Sequence, residues 1–303
     1  MLRTLTRGGK RVRVVMEATG MYGLDVALLL SAQEGVELMV ANPRAVRDFA
    51  RAMMQRSKSD PLDARVLREF AARMPFQPWA RPNANTLALW AIARRLQTLS
   101  ALHAAEKNRL HAASVSQAVP ACLRRSIQRT LRSFERESEQ LRAEAQRCIV
   151  ADEQLQRNYR LRCSAKGFAE ASAIQILGEL AMLPADRHVR QWVAFAGWDL
   201  REHSSGTSVH KRPGISKMGN RHLRCALFMP ALVASRREPH LHGFYEHLLA
   251  KGKTKRLALM AVARKLLHAI YGMFHSGKPY DGARVYQLPA PLATPTPLAQ
   301  HTT

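Results

Sequence analysis

Two apolar, β-branched runs with a helix-length segment between them limit what the front of this chain can fold into. Arg11–Met16 and Val36–Val40 read as strands. Between them Gly20–Gly23 turns the chain, and Leu24 to about Gln33 reads as a helix. Strands joined through a helix cannot close as a hairpin. They lie side by side with a crossover, which makes the pair parallel. Asn42-Pro43 ends the second strand, and Ala45–Met54 sets Val46, Phe49, Ala50 and Met53 on one helical face. A further helix is expected from Pro61 to about Ala72.

The rest of the chain changes character. Met74–Asn85 carries Pro75, Pro78 and Pro82 around Trp79 and reads as a linker. From Thr86 to about Asn158 the pattern is long, polar and helical, broken at Val119-Pro120. That predicts two antiparallel helices, a hairpin or short coiled coil with a solvated outer face. Residues 161–280 read as a second compact unit, mostly helical, with helices at Ala171–Leu183, Val189–Gly197, Arg221–Ser235 and Leu257–Phe274. After Tyr286 the Pro- and Thr-rich tail is expected to be disordered. The fold class is α/β plus α. Its segments are 1–78, then the linker and hairpin at 79–160, a helical region at 161–285 and a tail at 286–303.

Charge decides the partner. Lys and Arg number 47 against 23 Asp and Glu, a formal net charge of +24. A field of that sign points to a phosphate backbone, with an anionic membrane as the other candidate. No apolar run reads as long enough to span a bilayer, and the N-terminus lacks the apolar core of a secretory signal. Cys122, Cys148, Cys163 and Cys225 include no C-x-x-C pair, so zinc and thioredoxin-like readings are weak and reduced thiols in a cytoplasmic protein are expected.

Within that background a few residues carry chemistry. Glu17 stands where the first strand passes into the glycine turn, a place where α/β sites collect functional groups. Asp60 and Asp63 open the next helix, in the order Asp-Pro-x-Asp. Taken alone, that pair is more often a cap, with Asp at the N-cap and Pro at N1. With Glu17 it makes three carboxylates, the oxygen donors a divalent cation such as Mg²⁺ takes. Lys58 beside them is a candidate phosphate contact. Ser204-Ser205-Gly206 is expected in a loop, followed by His210, Lys211, Arg212, Lys217, Arg221 and Arg224. A serine ringed by cations can be offered to a phosphodiester, though the spacing alone favours a phosphate-binding loop. Lys166-Gly167-Phe168 resembles a turn before a helix N-terminus, where backbone amides hold phosphate, or an ordinary helix connection. The histidines lack ligand spacing, and Trp90, Trp192, Phe195 and Trp198 read as core.

These motifs, in this order, resemble the transposases of the bacterial insertion sequence 110 family, recombinases with an Asp-Glu-Asp-Asp tetrad. The resemblance rests on Glu17–Tyr22, Asn42-Pro43 with Val46, Phe49 and Ala50, Lys58–Asp60, and Asp63-Ala64. In the second half it rests on Lys166–Phe168, Phe195–Gly197, Ser204–Gly206, Ile215–Asn220 and Leu223-Arg224. It implies a RuvC-like (ribonuclease H type) domain, a helical hairpin and a C-terminal transposase domain. It also implies a Mg²⁺ site of four acids, of which Glu17, Asp60 and Asp63 are three. The serine nucleophile would be Ser205, with Ser204 close behind. Lys58, Lys166, His210, Lys211, Arg212, Lys217, Arg221 and Arg224 would contact nucleic acid. DNA, both element ends and target, a structured guide RNA and further copies of the chain are the implied partners, in a bacterial, nucleoid-associated setting.

One departure shapes the functional expectation. The family's first Asp lies on an opening strand, whereas here only the basic lead Met1–Arg11 precedes Val12 and no Asp occurs before Asp25. The parallel pair is then expected to lack its antiparallel neighbours and to show an exposed edge. The chain as written is expected to be an inactive transposase, or alternatively a remnant that binds DNA or RNA without cutting.

Overall fold

The computed structural model describes residues 10–55, 57, 59–164, 169–184, 186–205 and 209–288. Two compact units divide at Pro82/Asn83. Lys58, Lys166–Phe168, Gly206 and the tail from residue 289 lie outside the described residues.

Unit 1 holds the expected crossover. β1 (Val12–Glu17) and β2 (Val36–Ala41) are parallel, registered from Val12 opposite Val36 to Glu17 opposite Ala41. The connecting helix α1 (Met21–Ser31) starts earlier than its sequence suggested, with Gly23 inside the first turn. A Cβ at Gly23 would sit 2.5 Å from the Thr19 hydroxyl, so a larger residue there would have to displace the Thr19 side chain. Gly20, at φ 73°, takes the left-handed bend into the helix. Asn42 caps α2 (Pro43–Ala52), its Oδ1 accepting the Arg44 amide at 2.9 Å. α3 (Asp60–Arg73) packs on β1. The buried apolar residues are few: Ala27, Leu38 and a cluster of Met39, Ala41, Val46, Val66 and Phe70, with Phe49 edge-on to Phe70 at 5.4 Å. Tyr22, Val26 and Leu29, spaced to share one face of α1, are exposed. The Pro-rich segment returns to the sheet, where the Trp79 amide donates to the Leu38 carbonyl at 2.7 Å.

Unit 2 begins with the expected hairpin, α4 (Ala84–Val115) and α5 (Ala121–Val150), parted at Ser116–Pro120. A separate helix, α6 (Glu153–Cys163), follows, started by Asp152, whose side chain accepts the Leu155 amide at 2.9 Å. α7 (Glu170–Leu180) crosses α4 closely: a Cβ at Gly178 would stand 2.8 Å from that of Ala93. Leu89, Ala93 and Leu96 of α4, Ala145 and Ile149 of α5, Leu155 of α6 and Ile174 and Leu177 of α7 form one core. The base of the hairpin is therefore continuous with the helices that follow it.

The larger core gathers α8 (Val189–Ala196), α9 (Arg221–Arg237), α10 (Pro239–Ala250) and α11 (Lys255–Ser276), and the short α12 (Gly282–Val285) packs on α10 and α11. Trp192 and Trp198 are buried in this core, as their sequence positions suggested. α10 was not foreseen. It starts with Pro239 at N1 behind the buried cap Glu238, whose Oε2 accepts the Leu241 amide at 2.6 Å. α11 corrects the expectation of no span-length helix: by length and composition it could cross a membrane. Here its apolar face, including Val262, Leu266 and Ile270, lies in the middle of this core.

The segment read as a serine loop is instead a two-stranded antiparallel ribbon, β3 (Leu200–Ser205) and β4 (Val209–Ile215). Its register runs from Leu200 opposite Ile215 to Ser205 opposite Val209, with an irregularity between Arg201 and His203.

Candidate functional site

The first group of candidates lies at the end of β1 and the start of α3. Glu17 is the last residue of β1, half-buried, and the following amide, Ala18, bonds the Ala41 carbonyl at 3.1 Å. Asp60 and Asp63 sit in the first turn of α3, both exposed. The N-cap is Ser59 rather than Asp60, and no side chain caps this helix. The capping role that competes for this pair is therefore not taken up. Both carboxylates are left facing solvent, favourably placed against the helix dipole. None of the three acids has a side-chain partner among the described residues.

A divalent cation would need these oxygens at one point. Among the described residues no three His, Cys, Asp or Glu side chains come close enough to hold a metal. The donor chemistry suits Mg²⁺, but the geometry does not: Glu17, Asp60 and Asp63 stand on elements that pack together without converging.

The second group is the ribbon and its footing. Ser204 lies opposite His210 and His203 opposite Lys211 in the backbone register, with Arg212 next along β4. Ser205 ends β3 beside the tip. At the base, the Ser216 hydroxyl donates to Asp199 Oδ1 at 2.5 Å, and the Ser216 amide to the Asp199 carbonyl at 2.9 Å. Lys217 and Gly197 both have positive φ, 54° and 69°. Gly219 packs so tightly over the end of α8 that a Cβ would overlap the Phe195 carbonyl oxygen. Only glycine fits there.

Asn220 ties this footing down. Its Oδ1 accepts the amides of His222 and Leu223 at 2.9 and 3.1 Å, capping α9. Its Nδ2 donates to Glu179 at 2.5 Å. Glu179 is 2 % exposed and also accepts from Arg94 Nε and Nη2 at 2.8 and 3.2 Å. Arg94 in turn lies over the Trp90 ring. Beside it, His222 Nδ1 meets Gln97 Oε1 at 2.5 Å, and Gln97 Nε2 donates to the His222 carbonyl at 3.1 Å. An amide oxygen only accepts, so Nδ1 carries the proton. Burial, then the nearby Arg94 charge, lowers the His222 pKa below the ordinary imidazole value and favours the neutral ring.

The cations divide into two kinds. Lys217 and Arg221 are exposed and face solvent. Arg224 is occupied within the fold: Nη1 donates to the carbonyls of Ala196 and Gly219 at 2.7 and 3.1 Å, and Nη2 to that of Lys217 at 3.5 Å. Its work in this structure is to clamp the footing. The sequence reading missed Glu179, Arg94 and Gln97. One signal was present, a lone acid in the apolar run Ala173–Leu180.

Comparison with known proteins gives both halves the same relatives. Residues 1–120 match a model of the DEDD transposases of the IS110 type, described as "Transposase", and residues 159–246 match the "Transposase IS116/IS110/IS902 family". The chain is similar to a "Pilin gene-inverting protein" of Moraxella bovis, 25% identical over 271 residues, covering 89% of this chain and 82% of that protein. The protein of the same name in Moraxella lacunata is 25% identical over 274 residues, with the same coverage. An "Insertion element IS110 uncharacterized 43.6 kDa protein" of Streptomyces coelicolor is 30% identical over 105 residues, 35% of this chain and 25% of that protein.

Proposed function

This chain belongs to the IS110 family of transposases, and from that premise we propose that it recombines DNA through a serine at the end of β3. Members of the family bind DNA and typically use a divalent metal. The observation that carries the reading is Ser204-Ser205 at the end of a ribbon strand whose base is fixed by Gly219, Arg224 and the Asn220–Glu179–Arg94 chain. A nucleophile gains from a support that holds it within a fraction of an ångström.

In this reading the Ser205 Oγ attacks a backbone phosphorus and one P–O bond of the DNA breaks. The serine proton passes to a base, and the departing sugar oxygen leaves as a hydroxyl. Attack by a second DNA end reverses the exchange and frees the serine, so no bond energy is lost. The cations of β4 and its base, His210, Lys211, Arg212, Lys217 and Arg221, balance phosphate charge. The relatives named for pilin gene inversion favour exchange between two defined sites. A structured guide RNA and assembly of several copies belong to the same reading. Unit 1 is read as RuvC-like (ribonuclease H type), with Glu17, Asp60 and Asp63 as acids of a Mg²⁺ site. Because these acids do not converge, no step is assigned to the metal. That same observation favours a second reading, in which the chain binds DNA or RNA without cutting.

The test incubates the protein with DNA of the element's ends, RNA transcribed from them, and Mg²⁺. We expect a detergent-resistant protein–DNA adduct that Ser205→Ala abolishes and Ser204→Ala leaves. Loss with Ser204→Ala alone would name the other serine. Retained binding with no adduct in the wild type would leave the binding-only reading standing.

A further inference from the structure

Charge is sorted around α5 in a way the functional site does not use. Arg125, Arg129, Arg132 and Arg136 follow a 4-3-4 spacing. At 3.6 residues per turn they fall within an arc of about 60° and run about 16 Å along the helix. The apolar seam of α5, buried at Ile127, Ala145 and Ile149, lies on the opposite side. The stripe therefore points away from α4.

The neighbouring acids do not neutralise it. Glu137 reaches across to Arg95 of α4 at 2.7 Å, and Glu135 to His103 at 3.2 Å. Glu135 and Glu139 line the same surface hollow as Arg129, Arg132 and Arg136, and no ion pair among the described residues joins either acid to the stripe. All four arginines are exposed, and none has a side-chain partner among the described residues. Three other arginines of the hairpin are paired within it, Arg95 with Glu137, Arg109 with Glu106 and Arg147 with Glu144.

Packing alone does not explain this length of helix. In α4 nothing between Leu99 and Ala113 is buried, and in α5 nothing between Ile127 and Ala145. This part of the hairpin extends well beyond the core at its base. Over residues 100–136 it carries seven Lys and Arg against two Glu. Guanidinium groups in a straight, unpaired row on such an arm match a row of phosphates, each accepting paired N–H bonds.

We infer that the Arg125–Arg136 stripe is a docking track for the sugar–phosphate backbone of a double-stranded nucleic acid. The inference rests on the reading of this chain as one that works on nucleic acid, and adds a contact surface far along the sequence from the serine ribbon. It requires no base recognition, so the contact is independent of sequence.

The test compares the full chain with R125Q/R129Q/R132Q/R136Q. A control, R44Q/R51Q/R68Q/R73Q, removes the same charge from unit 1, where these arginines already pair with Asp48 or Glu69. Circular dichroism checks that each variant keeps its helices. Fluorescence anisotropy then measures binding to a short DNA duplex and a short RNA duplex across a salt series. The stripe variant should lose about three to four from the log–log salt slope on at least one duplex, roughly 0.9 per phosphate contact. The control should keep the wild-type slope. Loss on DNA alone, on RNA alone or on both identifies the source of the backbone. If the wild type binds and the stripe variant keeps the control's slope, the stripe is overturned while the functional reading stands. If the wild type binds neither duplex, both fall. Neither result depends on the serine adduct.

Discussion

Unit 1 closes around five buried side chains in one cluster, whereas unit 2 builds two cores that join hairpin, helices and the ribbon's footing. In unit 1 the candidate acids Glu17, Asp60 and Asp63 have no side-chain partner among the described residues, and an apolar face of α1 is left open to solvent. In unit 2 even polar groups are interlocked, with Glu179 held by Arg94 and Asn220. The contrast teaches that the two sets of candidate residues differ in preorganisation. The ribbon that carries the candidate serines has an interlocked base, while the carboxylates occupy a small α/β piece whose elements pack but whose donors do not meet.

The comparison can be broken most directly at Phe70. Phe70→Ala removes the largest member of a five-residue core and should cost about 3–4 kcal/mol. For so small a core that is enough to unfold unit 1. Thermal melting should lose an early transition while the main one stays in place; a single shared transition, shifted as a whole, would show that the units are not independent. A slightly smaller effect is expected from Arg94→Met, which strands the buried Glu179 carboxylate. The cost should be about 3 kcal/mol, at the lower end for a broken buried pair because Arg94 is itself partly exposed. The Arg94→Met, Glu179→Leu double variant should recover much of it in denaturant melts. If the double is as unstable as the single, Glu179 is held for a reason other than this pair. The least effect belongs to α1. Val26→Gln and Leu29→Gln lie on its open face and should move stability by no more than about 0.5 kcal/mol. A larger loss would mean that this face is covered, and the difference between the units would shrink.

The sequence made some of this legible and hid the rest for identifiable reasons. The crossover was readable because Val12–Met16 and Val36–Val40 are β-branched runs bounded by turn residues. The hairpin was readable from Pro120, which cannot continue a helix. The ribbon was not: β4 contains Pro213 and Gly214, which ordinarily argue against a strand, and β3 has no apolar alternation. Its register comes instead from Asp199 and Ser216, which close its base. Asp60 and Asp63 were placed correctly in the first turn of a helix, but one position later than expected because Ser59 takes the N-cap. Arg224 read as a phosphate contact because its charge is visible in sequence, while the three carbonyls that accept from it are not. The Glu179–Arg94 pair spans 85 residues, a separation at which no local pattern speaks.

The Trp79 amide bonded to Leu38 has a consequence for how this small sheet can meet another chain. A two-stranded sheet offers two rows of unpaired backbone groups, each a template for an added strand. On the β2 side one of those groups is already satisfied by a segment carrying Pro75, Pro78 and Pro82. Prolines lack the amide that would extend a ladder, so this neighbour occupies the row without passing it on. Growth of the sheet is thereby hindered on the β2 side at Leu38. Among the described residues the open row lies along β1, the strand that ends in Glu17.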